Sequence, residues 1–162
     1  MVTRVAPRVP ATKVMDWETA ASWRKTVHGT VVFTNGVFDL LHPGHIEVLD
    51  MARREGAALI VGLNSDASVK RLKGPSRPVR STAERALVLA GLEAVDAVVV
   101  FEEDTPLALV QQLQPDVIVK GGDYSPDAIA GGDVVTARGG RVVVVPLVRG
   151  QSTTSIIEKL RG

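Results

Sequence analysis

Two histidines enclosing a Pro-Gly pair, His42-Pro43-Gly44-His45, stand out among the residues able to do chemistry. Pro43 suits the first position of a helix, which leaves His42 at the cap. Histidine is not a favoured cap residue, so its presence there asks for another reason. Gly44 has no side chain to obstruct a ligand over the helix start. His45 follows His42 by three residues, on the same face of the opening turn. That turn also offers unpaired N–H groups and the positive end of the helix dipole, which attract anions. Just upstream, Thr34-Asn35-Gly36-Val37-Phe38-Asp39 closes an apolar run, and Gly36 lets the backbone come close to a phosphate. The pattern predicts phosphate binding at a strand–turn–helix junction. Two histidines can also be ordinary polar residues beside a helix start, but here strand, turn and helix context all agree. A metal pair would need further ligands, and neither a nearby third histidine nor a ring of carboxylates is present.

Three further segments carry groups suited to the same work. Asn64-Ser65-Asp66 leads into a stretch with five basic residues, Lys70, Arg71, Lys73, Arg77 and Arg80. Gly74 and the prolines argue against a regular helix through much of it. It reads either as a solvated loop or as a lid whose lysine, Lys70 or Lys73, meets phosphate on closing. Lys120-Gly121-Gly122-Asp123-Tyr124 follows a short apolar run, and its paired glycines are either a plain turn or a path that sets Asp123 over a site. Gly150-Gln151-Ser152-Thr153-Thr154 opens a last helix, where Ser152 is a cap or part of a second phosphate cradle.

These segments need elements to position them. Apolar runs at 30–34, 57–63, 97–101, 116–120 and 141–146 alternate with helical stretches at 43–55, 81–92, 105–113, 133–138 and 152–160. Ser81 with Glu84 forms a capping box, and Gly56 and Gly139 sit just past helix ends. The alternation predicts an α/β fold, a Rossmann-like doubly wound parallel sheet of five strands with helices on both faces. In such sheets ligands bind beyond the carboxyl ends of the strands, where every segment singled out above falls. Residues 1–29 read as an N-terminal arm, loose through 15, followed by a helix capped by Asp16 whose Trp17 and Trp23 pack onto the body. Residues 30–162 form the main domain. His28 precedes the first strand and is expected at the surface.

Composition bounds the rest. The 162 residues are 45% hydrophobic but only 4% aromatic, as suits an aliphatic sheet buried on both faces. A net charge of +1 supplies no bulk attraction to nucleic acid or to an anionic membrane, so anions must be held by local arrangement. Without cysteine there are no disulfides and no thiolate metal sites. No apolar stretch nears the roughly 20 residues of a membrane span, and the N-terminus lacks the apolar core of a secretory signal. A soluble cytoplasmic protein is the expectation. A redox dinucleotide enzyme lacks support, since no Gly-x-Gly-x-x-Gly follows the first strand.

The His-Pro-Gly-His block resembles the His-x-Gly-His signature of the nucleotidyltransferase superfamily, which includes cytidylyltransferases and pantetheine-phosphate adenylyltransferase. Together with Thr34–Asp39, Asn64-Ser65-Asp66-Ala67-Ser68, Glu102-Glu103-Asp104-Thr105-Pro106, Lys120–Tyr124 and Ser152-Thr153-Thr154, it is similar to the D-glycero-β-D-manno-heptose 1-phosphate adenylyltransferases. The likeness runs from Thr30 to the C-terminus. It implies transfer of AMP from ATP to a sugar 1-phosphate, with Mg2+ accompanying ATP. His42 and His45 would stabilise charge at the α-phosphate, helped by Lys70 or Lys73. Thr34, Asn35, Gly36, Val37, Phe38, Asp39, Gly44, Lys120, Gly121, Gly122, Asp123, Ser152, Thr153 and Thr154 would meet the nucleotide. Asn64, Asp66 and Arg77 would meet the sugar phosphate. The resemblance further implies a homodimer and, as no kinase segment precedes this domain, a separate heptose kinase upstream. Another nucleotide or acceptor, such as CTP with glycerol 3-phosphate, and a non-catalytic nucleotide-sensing module are the alternatives.

Overall fold

The computed structural model describes residues 6–122, 124–147 and 152–162. Its centre is a parallel sheet of β1 (Val14–Met15), β2 (Val31–Gly36), β3 (Ala58–Asn64), β4 (Ala97–Phe101), β5 (Val117–Gly121) and β6 (Arg141–Val145), in the order β1-β4-β3-β2-β5-β6. β3 is buried along its whole length, so its sequence is a continuous apolar run rather than an alternating one. Alternate residues still separate the two faces. Val32, Leu59, Val61, Val98 and Val119 pack beneath α2 (Pro43–Arg54) and α4 (Thr82–Ala90). Phe33, Ile60, Val99 and Ile118 pack beneath α1 (Trp17–Thr26), α5 (Leu107–Leu113) and α6 (Gly132–Ala137).

From β2 the chain winds outward through β3 and β4, then crosses back to β5 and β6 on the other side. The connections leaving β2 and β5 therefore diverge, and a crevice opens between their carboxyl ends. The expected parallel sheet with helices on both faces is present, with six strands rather than five. The sixth is β1, which pairs with β4 at the sheet edge within the stretch expected to be a loose arm. The buried Lys13 ammonium secures this segment by donating to the Leu92 and Val95 carbonyls at 3.2 and 2.8 Å. α1 behaves as its cap predicts: the Asp16 carboxylate accepts from the Thr19 N–H, and Trp17 Nε1 donates to the Val100 carbonyl at 2.8 Å. His28 is exposed.

A second correction concerns the basic stretch. Residues Asp66–Lys73 form a helix, α3, capped by Ser65 and stopped at Gly74, whose φ of 97° suits glycine. Burial of Ser68 and Val69 against the sheet supplies the stabilisation that local polarity hid. Only the segment beyond Gly74 is irregular. Three elements meet over Arg85, whose side chain is fully buried in α4. Its guanidinium donates to the Val37 and Asn64 carbonyls, both at 2.8 Å, to the Arg80 carbonyl at 3.0 Å and to Asp66 at 2.9 Å. One side chain thus ties the end of β2, the end of β3, the start of α3 and the segment before α4.

Replacing Arg85 with Ala strands those three carbonyls and should destabilise the fold by about 3–5 kcal/mol in urea titration. His28→Ala should change it by less than about 0.5 kcal/mol. Equal midpoints for the two variants would mean that Arg85 is not the tie described.

Candidate active site

A cavity of about 560 Å³ occupies the crevice at the carboxyl ends of β2 and β5. Its floor is the end of β2. There Phe38 adopts a φ of 46°, a left-handed conformation unusual for a bulky residue. The turn folds the Phe38 ring back over Gly36, where a Cβ would lie 2.9 Å from it. The glycine that allows a phosphate to approach also makes room for this ring. The ring then leans on His45, with centroids 5.2 Å apart.

The opening turn of α2 forms one wall. His42 is the N-cap in extended conformation with Pro43 following, as the sequence predicts. The two imidazoles stack, centroids 3.8 Å apart and planes 23° from parallel. The His42 backbone N–H donates to His45 Nδ1 at 3.4 Å. A ring whose Nδ1 accepts must, when neutral, carry its proton on Nε2. His42 Nδ1 is buried and has no protein partner among the described residues. Burial lowers the His42 pKa. Burial and then the neighbouring His42 push His45 down to about 4. Both rings are therefore uncharged at neutral pH, each offering one N–H rather than a full charge.

Charge comes from elsewhere. Lys73, Arg77 and Lys120 reach the cavity wall. Lys120 Nζ donates to the Asn35 carbonyl at 3.3 Å and lies 5.7 Å from the centre of the Tyr124 ring. Its pKa is lowered by burial first and by the Lys73 charge second, so the two ammoniums share one electrostatic environment. Asp39 does not neutralise them. Its fully buried carboxylate accepts from the Val79 and Arg80 N–H groups and from Arg77 Nε, at 2.9 to 3.0 Å. Burial alone would raise its pKa, but these bonds outweigh that and hold it below the ordinary carboxylate value. Asp39 thereby fixes the segment carrying Arg77 against the end of β2.

On the far side, α7 (Thr153–Arg161) begins at the cavity. Ser152 caps it by accepting from the Ser155 N–H at 3.0 Å, and Thr153 Oγ1 donates to the Leu40 carbonyl at 3.0 Å. Two helix N-termini thus face the same space, and Ser152 is a cap and a wall residue at once.

Most of the residues singled out in the sequence come together here. Thr34, Asn35, Gly36, Val37, Phe38, Asp39, Gly44, Asn64, Gly121 and Thr154 line the cavity with those already described. Lys70 is exposed and off the wall, so Lys73 is the lysine that α3 turns toward the site. Asp66 is engaged by Arg85 instead. Gly122 lies behind the wall, with a φ of 125° that only glycine adopts readily. Asp123, Gly150 and Gln151 lie outside the described residues. Val48, Leu72 and Asp104 also reach the wall and were given no site role, while Leu147 brings the start of the loop after Pro146, expected to meet ribose and base, to the wall. For Asp104 the signal was its place in the block 102–106, directly after a strand.

The His45 shift has a sign that can be checked. Its folded pKa lies below the ordinary 6.5, so the unfolded chain takes up the proton first as pH falls. The stability contributed is full above about pH 6.5 and is lost toward about pH 4, in an amount reduced by the ring's partial exposure. His45→Gln should therefore lose less stability than wild type between pH 7.5 and 5 in urea titrations. Parallel losses would show that His45 titrates normally.

Comparisons with known proteins bear on the family and the fold. The cytidylyltransferase-like family model matches residues 33–159. The bifunctional protein HldE of Syntrophotalea carbinolica is 60% identical over 131 residues, which are 81% of this chain and 27% of that protein. The HldE of Paramagnetospirillum magneticum is 52% identical over 159 residues, 98% of this chain and 31% of that protein. The chain thus spans less than a third of the length of these curated relatives. Among solved structures, a lipopolysaccharide core biosynthesis protein from Thermoplasma volcanium superposes with a TM-score of 0.61 at 25% identity, over 76% of this chain and all of that one. The pantoate–β-alanine ligase of Francisella tularensis shares the fold, with a TM-score of 0.55 at 15% identity over 91% of this chain and 76% of that one. On the match of the family model and the identity to these relatives, the chain belongs to the cytidylyltransferase-like family.

Proposed function

We propose that this protein transfers an adenylyl group from ATP to D-glycero-β-D-manno-heptose 1-phosphate, giving ADP-heptose and pyrophosphate. The observation that carries the reading is the stacked His42–His45 pair on a helix N-terminus, facing a cavity with Lys73, Arg77 and Lys120 on its wall. The heptose branch is supported by the motif resemblance and by identities of 52% to 61% with bifunctional HldE proteins.

The acceptor's phosphate has a second pKa near 6 and is largely a dianion at neutral pH, so it needs no general base. One of its oxygens bonds to the α-phosphorus as the bond from that phosphorus to the β-phosphate bridging oxygen breaks, and pyrophosphate leaves with the electron pair. The obstacle is electrostatic, since two polyanions must meet while charge builds on the α-phosphate oxygens. His45 offers its Nε2–H to that charge, and the His42 ring, also on the cavity wall, offers a second contact. Lys73 and Lys120 offset the charge of the triphosphate. Ser152, Thr153 and the β2 end hold it in place.

Magnesium enters this reading with ATP, as the counterion of its phosphates. The ion would neutralise phosphate charge. The reading also includes a homodimer, a cytoplasmic location where ATP is at hand, and a heptose kinase activity to supply the sugar 1-phosphate. Among the described residues no helix is long and apolar enough to cross a membrane.

Pyrophosphate release should be seen with ATP plus heptose 1-phosphate and be far slower with mannose 1-phosphate, or with CTP in place of ATP. His42→Ala and His45→Ala should each lower turnover by about a hundredfold or more while leaving the circular dichroism spectrum unchanged. Tight ATP binding without pyrophosphate release, or near-wild-type turnover in both variants, would contradict the reading.

A further inference from the structure

Among the described residues two carboxylates, Asp39 and Asp104, stand on a wall that is otherwise cationic or neutral. Asp39 is fully engaged by its own neighbours. Asp104 Oδ1 accepts from Arg71 Nε at 3.0 Å and has no further hydrogen-bond partner among the described residues. Arg71 also donates to the Glu102 carbonyl, so the loop after β4 is tied to the end of α3. Asp104 is thus held in place with one oxygen uncommitted.

A carboxylate repels phosphate, so in a cavity for phosphate esters it belongs beside the part of a substrate that bears hydroxyls. β4 lies two strands from β2 in the sheet, roughly 10 Å at the usual strand spacing. That is about the reach of a sugar whose phosphate sits at the histidine turn. The opposite flank, at the end of β5, holds Lys120, which the motif resemblance gives to the nucleotide. Leu72, next in the chain to Arg71, is on the wall and half-exposed. An apolar side chain and a hydrogen-bond-accepting carboxylate on one cavity wall match the C–H faces and hydroxyls of a sugar.

Resting on the adenylyltransferase reading, we infer that Asp104 binds hydroxyls of the acceptor sugar and sets the enzyme's preference for a polyhydroxylated acceptor. Asp104 is exposed, so its replacement should not disturb folding. The test is steady-state kinetics of the full chain with ATP and heptose 1-phosphate, comparing wild type, Asp104→Ala and Arg71→Ala. Asp104→Ala should raise the KM for heptose 1-phosphate about tenfold or more, as loss of a charged hydrogen-bond partner does. The KM for ATP and the magnesium dependence should be unchanged, and Arg71→Ala should have the smaller effect. A KM for heptose 1-phosphate unchanged in Asp104→Ala overturns the inference. So does a defect that falls on ATP or magnesium, or one that Arg71→Ala reproduces in full. If wild type itself does not turn over heptose 1-phosphate, the adenylyltransferase reading fails first, and the two failures are told apart.

Discussion

A single hydrogen bond, from the His42 backbone N–H to His45 Nδ1, governs how the two imidazoles can act. It satisfies one of the N–H groups that a helix start leaves unpaired. It also sets the His45 proton on Nε2 and holds the ring in the stack with His42. Because both rings are kept neutral by burial, they bring donors to an anion without the repulsion that two adjacent imidazolium ions would suffer. A protein of net charge +1 cannot rely on its overall field to gather polyanions. It relies on this turn and on lysines placed around it.

The turn works only if the surrounding loops are held still. Two buried ionic side chains do that from below. Arg85 fastens carbonyls from three connections, and Asp39 gathers Arg77 and two backbone N–H groups. Asp39 lines the cavity and Arg85 ties the strand ends that frame it, so the site's geometry and the packing of the sheet ends are a single construction. The left-handed Phe38 belongs to it, since its ring fills the space over Gly36 and supports His45.

How much of this was legible depended on how local the information was. The strand alternation, the Pro43 start of α2 and the pairing of His42 with His45 follow from spacings of a few residues. β1 did not, because two residues become a strand only through pairing with β4, over 80 residues away in the chain. α3 was hidden because its polar face dominates the sequence, while burial of Val69 decides the matter. Lys70 and Lys73 share one face of α3, and the choice between them needed the position of the helix, whose last turn alone reaches the wall. Arg85 was readable in principle as a charged residue within the buried stripe of Ala86, Leu89 and Ala90, although its partners are remote in sequence. Asp104 had a motif around it but no chemistry until the cavity gave it neighbours.

The central claim is that the nucleotide's phosphates lie against the opening turn of α2. A crystal structure with a non-hydrolysable ATP analogue tests it most directly. The account predicts α-phosphate oxygens within hydrogen-bond distance of His45 Nε2 and of the His42 ring, with Lys73 or Lys120 on the remaining phosphates. A triphosphate bound away from that turn, with neither imidazole in contact with a phosphate oxygen, would contradict it.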